Sequence, residues 1–454
     1  MKKIVAIGCG GAGMFSLIVA SQLKKGRFET TVLSDERDVY CRCTSPYVLT
    51  GEAELSDAIQ PECMFAEYGL NIVHDKALSI DTAKRQVIGA SGERYGYDYL
   101  AVATGASPYV PSIRGVDSDR VHTVRTSEDI EAIWKEAGHA RKSVVIGAGI
   151  IGIEVAGALR GRGMDVSLVE SAETISSDIA DAEFAEKILS HLRESGIRTT
   201  FGGKATEIRD GSGGRKAVVV SKDGAEEIFE ADMVVIAAGV HPNLSVIDGS
   251  GIRSTERGIV VDDRMRTNIR NVYACGDCCV PLSGVTGEYH PSPLASSAIQ
   301  QAKIVGYQIA GFPIRYAGST GAFAFQTLGK EYAGVGLTED AARRRYHRVV
   351  VGRAETTDVY KDLKSVRSLS VKLVFAGLRM RLVGYEAFGN GVIASAEVAS
   401  FAIGGRTGIL KMLRFNYIAH PSMTAWPFMN PIIMATEDAI GSVMSSVRKY
   451  LPFV

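Results

Sequence analysis

The chain has no run of about 18 consecutive apolar residues, so no transmembrane helix is expected. Neither charge predominates: 51 Lys and Arg balance 51 Asp and Glu. That leaves no electrostatic footprint for nucleic acid or for an anionic membrane surface. The start, "MKKIVAIGCGGAGM", lacks the uninterrupted apolar core of a secretory signal. Its apolar run is short and breaks into glycines, as a buried strand would. The seven cysteines are an odd number without a secretory start. They argue against a disulfide framework and for a reduced, cytoplasmic compartment. Cys275, Cys278 and Cys279 have no second C-x-x-C to complete a zinc site, so no metal is expected.

What is present is glycine, and it is patterned. The 454 residues include 49 glycines, above the roughly 7% average, gathered in a few loops. "KKIVAIGCGGAG" opens at Lys2 and "RKSVVIGAGIIG" at Arg141. Each is a basic pair, a short apolar strand and glycines spaced G-x-G-x-x-G. Each then runs into a helical stretch and a second β-rich strand ("ETTVLS"; "DVSLVE"). This is one βαβ unit written twice. In such a unit the first glycine makes the turn, the second lets backbone approach a pyrophosphate, and the third lets helix pack on strand. These are Gly8, Gly10 and Gly13 in the first unit, and Gly147, Gly149 and Gly152 in the second.

An acid at the end of the second strand should bind ribose hydroxyls. Glu170 stands there in the second unit, and no basic residue follows at once, which favours NADH over NADPH. In the first unit Ser34 occupies the expected position, and Asp35, one step later, is the candidate.

Two further strands end in glycine motifs: Ala103-Thr104-Gly105 within "YDYLAVATGASPYVP", and Gly276-Asp277 within "NVYACGDCCV". Between them lies the whole second βαβ unit, closing at "MVVIAAGVHPN" with Gly239. One nucleotide domain is therefore expected inside another. The expected division is 1–112 with 250–320, then 113–249, then a C-terminal domain of strands and amphipathic helices over 321–454 that has no phosphate loop.

Taken together, these motifs resemble the pyridine nucleotide–disulfide oxidoreductase family of flavoproteins, over nearly the whole length. The resemblance implies an α/β fold of two Rossmann-like domains, one inserted in the other, plus a C-terminal α+β dimerisation domain. It implies FAD on Gly8, Gly10, Gly13, Asp35, Arg42, Thr104, Gly105, Gly276 and Asp277. It implies NADH on Gly147, Gly149, Gly152, Glu170 and Gly239. Within the family, "YCRCTSPY" has no C-x4-C and is similar instead to the single-cysteine branch. That branch holds coenzyme A disulfide reductases, persulfide and polysulfide reductases, NADH oxidases and peroxidases. Cys43 takes the redox position, with two residues, Thr44 and Ser45, between it and Pro46-Tyr47.

The chemistry of that stretch agrees. Ser45 is a suitable N-cap and Pro46 a suitable first helical residue. Cys43 would then sit at a helix N-terminus beside Arg42, and both features favour a thiolate. Cys41 is expected to be structural, because a disulfide between cysteines two apart would close a small, strained ring.

Near the C-terminus, "FNYIAHPSMTAWPFMNPI" carries Tyr417 and His420. The resemblance makes both candidates for catalysis from a segment that reaches the partner's flavin in a homodimer. The reading that follows is an enzyme oxidising NADH through FAD and reducing a disulfide, persulfide or polysulfide at Cys43. With oxygen or peroxide, Cys43 would cycle through a sulfenic acid. The competing readings are a flavoprotein subunit passing electrons between NAD(H) and an iron–sulfur partner, such as a 2-oxoacid oxidoreductase complex, and a nucleotide sensor without catalysis.

Overall fold

The computed structural model describes residues 1–450; the last positions of the expected C-terminal domain, 451–454, lie outside the described residues. The chain divides into two compact units. The first comprises Met1–Pro111, His122–His139 and Ala238–Ser319, and the second Ser112–Val121, Ala140–Ala237 and Thr320–Val454. The chain thus leaves the first unit and returns to it, the insertion that the repeat implies. Relative to the expected 113–249, the segments His122–His139 and Ala238 onward sit in the first unit.

The first unit is built on a parallel sheet ordered Val272–Ala274, Tyr99–Val102, Lys2–Ile7, Phe28–Ser34, Leu70–His74. Ile4, Val5, Ala6 and Ile7 are all buried, as a parallel strand covered on both faces requires. Each larger side chain so buried contributes about 1.5–3 kcal/mol. Helix Gly11–Leu23 packs on helix Ala295–Ile309. Gly306 permits that approach, because a Cβ there would lie 2.6 Å from the Val19 Cβ and 2.8 Å from the Ser16 carbonyl. The order reverses between Lys2–Ile7 and Tyr99–Val102, which opens a crevice at the carboxyl ends of those strands.

The second unit repeats the scheme with parallel strands ordered Met233–Ile236, Lys142–Ile146, Asp165–Glu170, Arg198–Phe201. It also carries an antiparallel sheet ordered Phe323–Thr327, Lys330–Gly336, Arg381–Gly389, Ser368–Ala376, Val349–Thr357. Helices Val392–Gly404 and Pro431–Tyr450 cover that sheet. Among the described residues no helix is long and apolar enough to cross a membrane.

Candidate active site

The two glycine loops share one geometry. Gly8 and Gly147 both adopt φ +108°, a conformation L side chains rarely take. A Cβ on Gly13 would run into the carbonyl oxygen of Gly8, and one on Gly152 into that of Gly147. The helices that follow begin after Gly10 and Gly149, neither of which offers a side-chain cap, and neither helix has an acid in its first turn. Uncapped N–H groups at an uncluttered helix start form a phosphate site. The residues present therefore fit a dinucleotide in each unit.

In the second unit, Glu170 Oε2 accepts the N–H of Ala148, between Gly147 and Gly149, at 2.8 Å. Its other oxygen accepts the N–H of Ala172 at 2.8 Å. The acid is thereby fixed beside the loop. Two residues past Gly152 on the same helix, burial pushes the Glu154 carboxyl up to about 7.

In the first unit the acids divide differently. Asp35 is exposed and lies 3.7 Å from Lys76 Nζ. Glu36 is half-buried and ion-paired with Arg42. The turn that presents Glu36 is made by Ser34, whose hydroxyl receives the Glu36 N–H at 3.2 Å. Glu36 also helps push the thiol of Cys9, inside the loop, up to about 12, although burial is the largest cause. Arg42 Nη1 would lie 3.6 Å from a Cβ on Gly10, and its buried Nε has no hydrogen-bond partner. An orphaned guanidinium N–H over a phosphate loop is a donor set suited to a pyrophosphate. Arg42 thus faces Glu36 and the loop.

Thr104 and Gly105 border the same crevice. The Thr104 hydroxyl donates to the Asn243 carbonyl at 2.7 Å, and the Asn243 amide returns a bond to the Thr104 carbonyl at 2.9 Å. Gly239 has φ +114° and its carbonyl accepts the N–H of Tyr109, at the start of the strand pair Ala106–Pro108 with Val240–Pro242. Gly276 has φ +82°, donates its N–H to Gln301 at 2.8 Å, and would place a Cβ 2.9 Å from Ala12. Asp277 is therefore delivered to the start of the first nucleotide helix. It accepts a bond from Arg125 Nη1 at 3.4 Å. Arg125 also abuts Gly105, and burial, with the positive charge of Arg42, pulls its pKa down. Arg125 joins the Thr104-Gly105 and Gly276-Asp277 motifs, and no motif in its own stretch marks it.

Cys41 and Cys43 are both exposed, and neither is in a disulfide. Cys43 lies on a 3-10 turn, Arg42–Thr44, and Cys41 immediately precedes it, its carbonyl accepting the Thr44 N–H at 3.0 Å. Cys41 keeps an extended backbone, φ −84° and ψ 90°, and the chain turns only after it. Helix Ser45–Thr50 starts one residue earlier than expected. Ser45 is its first residue and not its N-cap; the serine hydroxyl donates to the Arg42 carbonyl at 2.7 Å and meets the Tyr40 hydroxyl at 2.8 Å. Cys275, Cys278 and Cys279 are buried and donate to carbonyl oxygens, and burial raises the pKa of all three.

In the second unit, Tyr417 donates to the Pro427 carbonyl at 2.7 Å. His420 is exposed, with Nδ1 3.2 Å from the Ser422 hydroxyl. Ile418 is 85% and Phe428 66% exposed, an apolar face beside both candidates.

Two glycine loops with acids beside them, a Gly-Asp loop at a third strand end and an accessible thiol fit a flavoprotein oxidoreductase. The chain belongs to the pyridine nucleotide-disulphide oxidoreductase family, whose model matches residues 2–302, and the family's dimerisation domain matches residues 325–427. It is an FAD-dependent NAD(P)H oxidoreductase. It is 30% identical over 452 residues to an NADH oxidase of Methanocaldococcus jannaschii, covering 96% of this chain and 98% of that one. It is 31% identical over 415 residues to a CoA-dependent NAD(P)H sulfur oxidoreductase of Pyrococcus furiosus, covering 88% and 91%. The solved structure of an NAD-dependent persulfide reductase from A. fulgidus superposes with a TM-score of 0.91 at 27% identity, covering 98% of this chain and 84% of that one.

Proposed function

We propose that the chain oxidises NADH and reduces a disulfide, persulfide or polysulfide at Cys43, as a cytoplasmic homodimer. The observation that carries this reading is the turn Arg42–Thr44. It presents an exposed thiol while its arginine reaches the flavin-side glycine loop. Cofactor and nucleophile are thereby set by one short segment.

When bound, FAD supplies the two-electron chemistry, taking hydride from NADH and returning the electron pair to sulfur. The residues do the rest. Gly10 and Gly13 admit the pyrophosphate, Arg42 and Arg125 face its charge, and Asp277 takes the ribityl hydroxyls. Glu36 holds the adenosine ribose, with Asp35 at its rim. Gly149, Gly152 and Glu170 hold NADH in the same manner.

Cys43 attacks as the thiolate. With RSSR, the S–S bond breaks, RS⁻ leaves, and Cys43–S–S–R forms. With RSSH, attack on the inner sulfur gives the same mixed disulfide and releases hydrosulfide. Two electrons and a proton then return the thiolate and release RSH. Tyr417 and His420, on an apolar face within the family's dimerisation domain, serve the partner's site, and His420 supplies the proton.

The test is anaerobic reduction of the holoenzyme by NADH, followed by disulfide, persulfide, polysulfide and oxygen as acceptors. Fast reoxidation by a sulfur acceptor, lost in Cys43→Ser, is the expected result. Sulfur acceptors that fail while an iron–sulfur protein reoxidises the enzyme would favour the electron-transfer reading.

A further inference from the structure

The loop that leaves Glu170 is held at both ends, and the far end is held by the C-terminal sheet. At the near end the Gly203 N–H bonds the Glu170 carbonyl at 3.0 Å and the Gly202 N–H the Ala172 carbonyl at 2.8 Å. At the far end the Tyr332 hydroxyl donates to the Ile179 carbonyl at 2.7 Å, and the Thr338 hydroxyl to the Ser177 carbonyl at 2.8 Å. Glu386 accepts the Asp181 N–H at 2.8 Å. The Asp181 carboxylate accepts the N–H groups of Glu339 at 2.7 Å and Asp340 at 3.1 Å, and it meets Lys372 Nζ at 2.7 Å.

Lys372, Tyr332 and Glu386 are each no more than 2% exposed. Surrounding a buried lysine with Asp181, Glu183, Glu339 and Glu386 is a poor way to gain stability, since desolvation offsets the attraction. Such a cluster is better matched to fixing a position. What it fixes is a nucleotide-side loop, a kind of segment that is ordinarily mobile.

We propose that Tyr332, Thr338, Lys372 and Glu386 are positioning residues for NADH. They hold Ser177–Asp181, and with it the loop that starts at Glu170, in the form that receives the adenosine half of the nucleotide. The proposal rests on the reading of Glu170 as the ribose ligand. Loosening the grip weakens NADH binding and leaves hydride transfer from bound NADH unchanged. Reduced nicotinamide mononucleotide, which lacks the adenosine half, is insensitive to it.

Stopped-flow reduction of the holoenzyme, anaerobically, separates the NADH dissociation constant from the limiting rate. In Tyr332→Phe with Thr338→Val, loss of two hydrogen bonds raises that constant about tenfold. Its limiting rate and its rate with reduced nicotinamide mononucleotide stay at wild-type values. Tyr332→Phe alone gives about a fivefold rise and serves where the double variant does not hold FAD. Glu170→Gln is the control. An unchanged NADH constant in the grip variants, with a raised one in Glu170→Gln, overturns the proposal. Equal losses with both reductants also overturn it, because they mark general damage. An unchanged constant in Glu170→Gln overturns the ribose reading itself.

Discussion

Glu170 Oε2 sits 2.8 Å from the backbone nitrogen of Ala148, so the acid that ends one strand is tied to the glycine loop that follows its neighbour. Orientation and charge are fixed before any nucleotide arrives. A 2′-phosphate brought to this place would meet a carboxylate already committed to the loop. NADH should therefore reduce the enzyme more efficiently than NADPH, by tenfold or more for about 1.4 kcal/mol of discrimination. Comparison of kcat/KM for the two nucleotides checks this. In Glu170→Gln the ratio should fall toward unity.

The acids of the first unit give a second comparison. Glu36 is ion-paired with Arg42 over the loop, whereas Asp35 points to solvent and Lys76. Glu36→Gln should weaken FAD binding to the apoprotein by about 1–2 kcal/mol, as expected for loss of a charge-assisted bond. Asp35→Asn should change it little. Fluorescence titration of apoprotein with FAD reads both constants, and the reverse order would return the role to Asp35.

The third glycines admit no side chain. Gly13→Ala would drive a methyl group into the Gly8 carbonyl, and Gly152→Ala into that of Gly147. Overpacking of this kind costs about 1–3 kcal/mol. Gly13→Ala should purify with little FAD. Gly152→Ala should keep its FAD and lose reduction by NADH. Absorbance at the flavin band, before and after NADH, distinguishes the two.

These glycines were legible because their spacing records two backbone demands, a positive φ and a close approach, that few other residues meet. Glu170 was legible because it ends a regular strand. The pairing of Glu36 with Arg42 was not, since it depends on the turn that the Ser34 hydroxyl makes, and the Arg125–Asp277 contact was not, since it comes from a distant part of the chain. The Cys41–Cys43 turn and the early helix start at Ser45 depend on the Ser45 hydroxyl bonding the Arg42 carbonyl, a local choice that competes with capping. The grip on Asp181 was the least legible part. Its members come from separate strands and helices, joined only by the fold.

The buried cluster predicts a pH effect. Burial, reinforced by the Asp181 carboxylate, pushes the Glu386 carboxyl up to about 8 from an ordinary 4.5. Asp181, Glu183, Glu339, Lys372, Arg353 and Tyr332 are the charged and titratable groups around it. The folded state therefore binds the proton more tightly than the unfolded one. The stability linked to that proton is fully present below about pH 4.5 and is lost as pH rises through about 8. Glu386→Gln cannot ionise and should lack this decline. Melting temperatures of both proteins across that window, taken on holoenzyme, should converge in acid and separate in mild alkali.

The central claim is that electrons leave through Cys43. Its most direct test is turnover of Cys43→Ser and Cys41→Ser with NADH and a sulfur acceptor, with flavin reduction followed in the same samples. Cys43→Ser should bind FAD and accept hydride from NADH at the wild-type rate, because those steps use the glycine loops and acids. Its turnover with disulfide, persulfide or polysulfide should fall by about three orders of magnitude or more, the loss expected when a nucleophile is removed. Cys41→Ser should keep most of its turnover. Wild-type turnover in Cys43→Ser with every sulfur acceptor would contradict the account and leave electron transfer to a protein partner in its place.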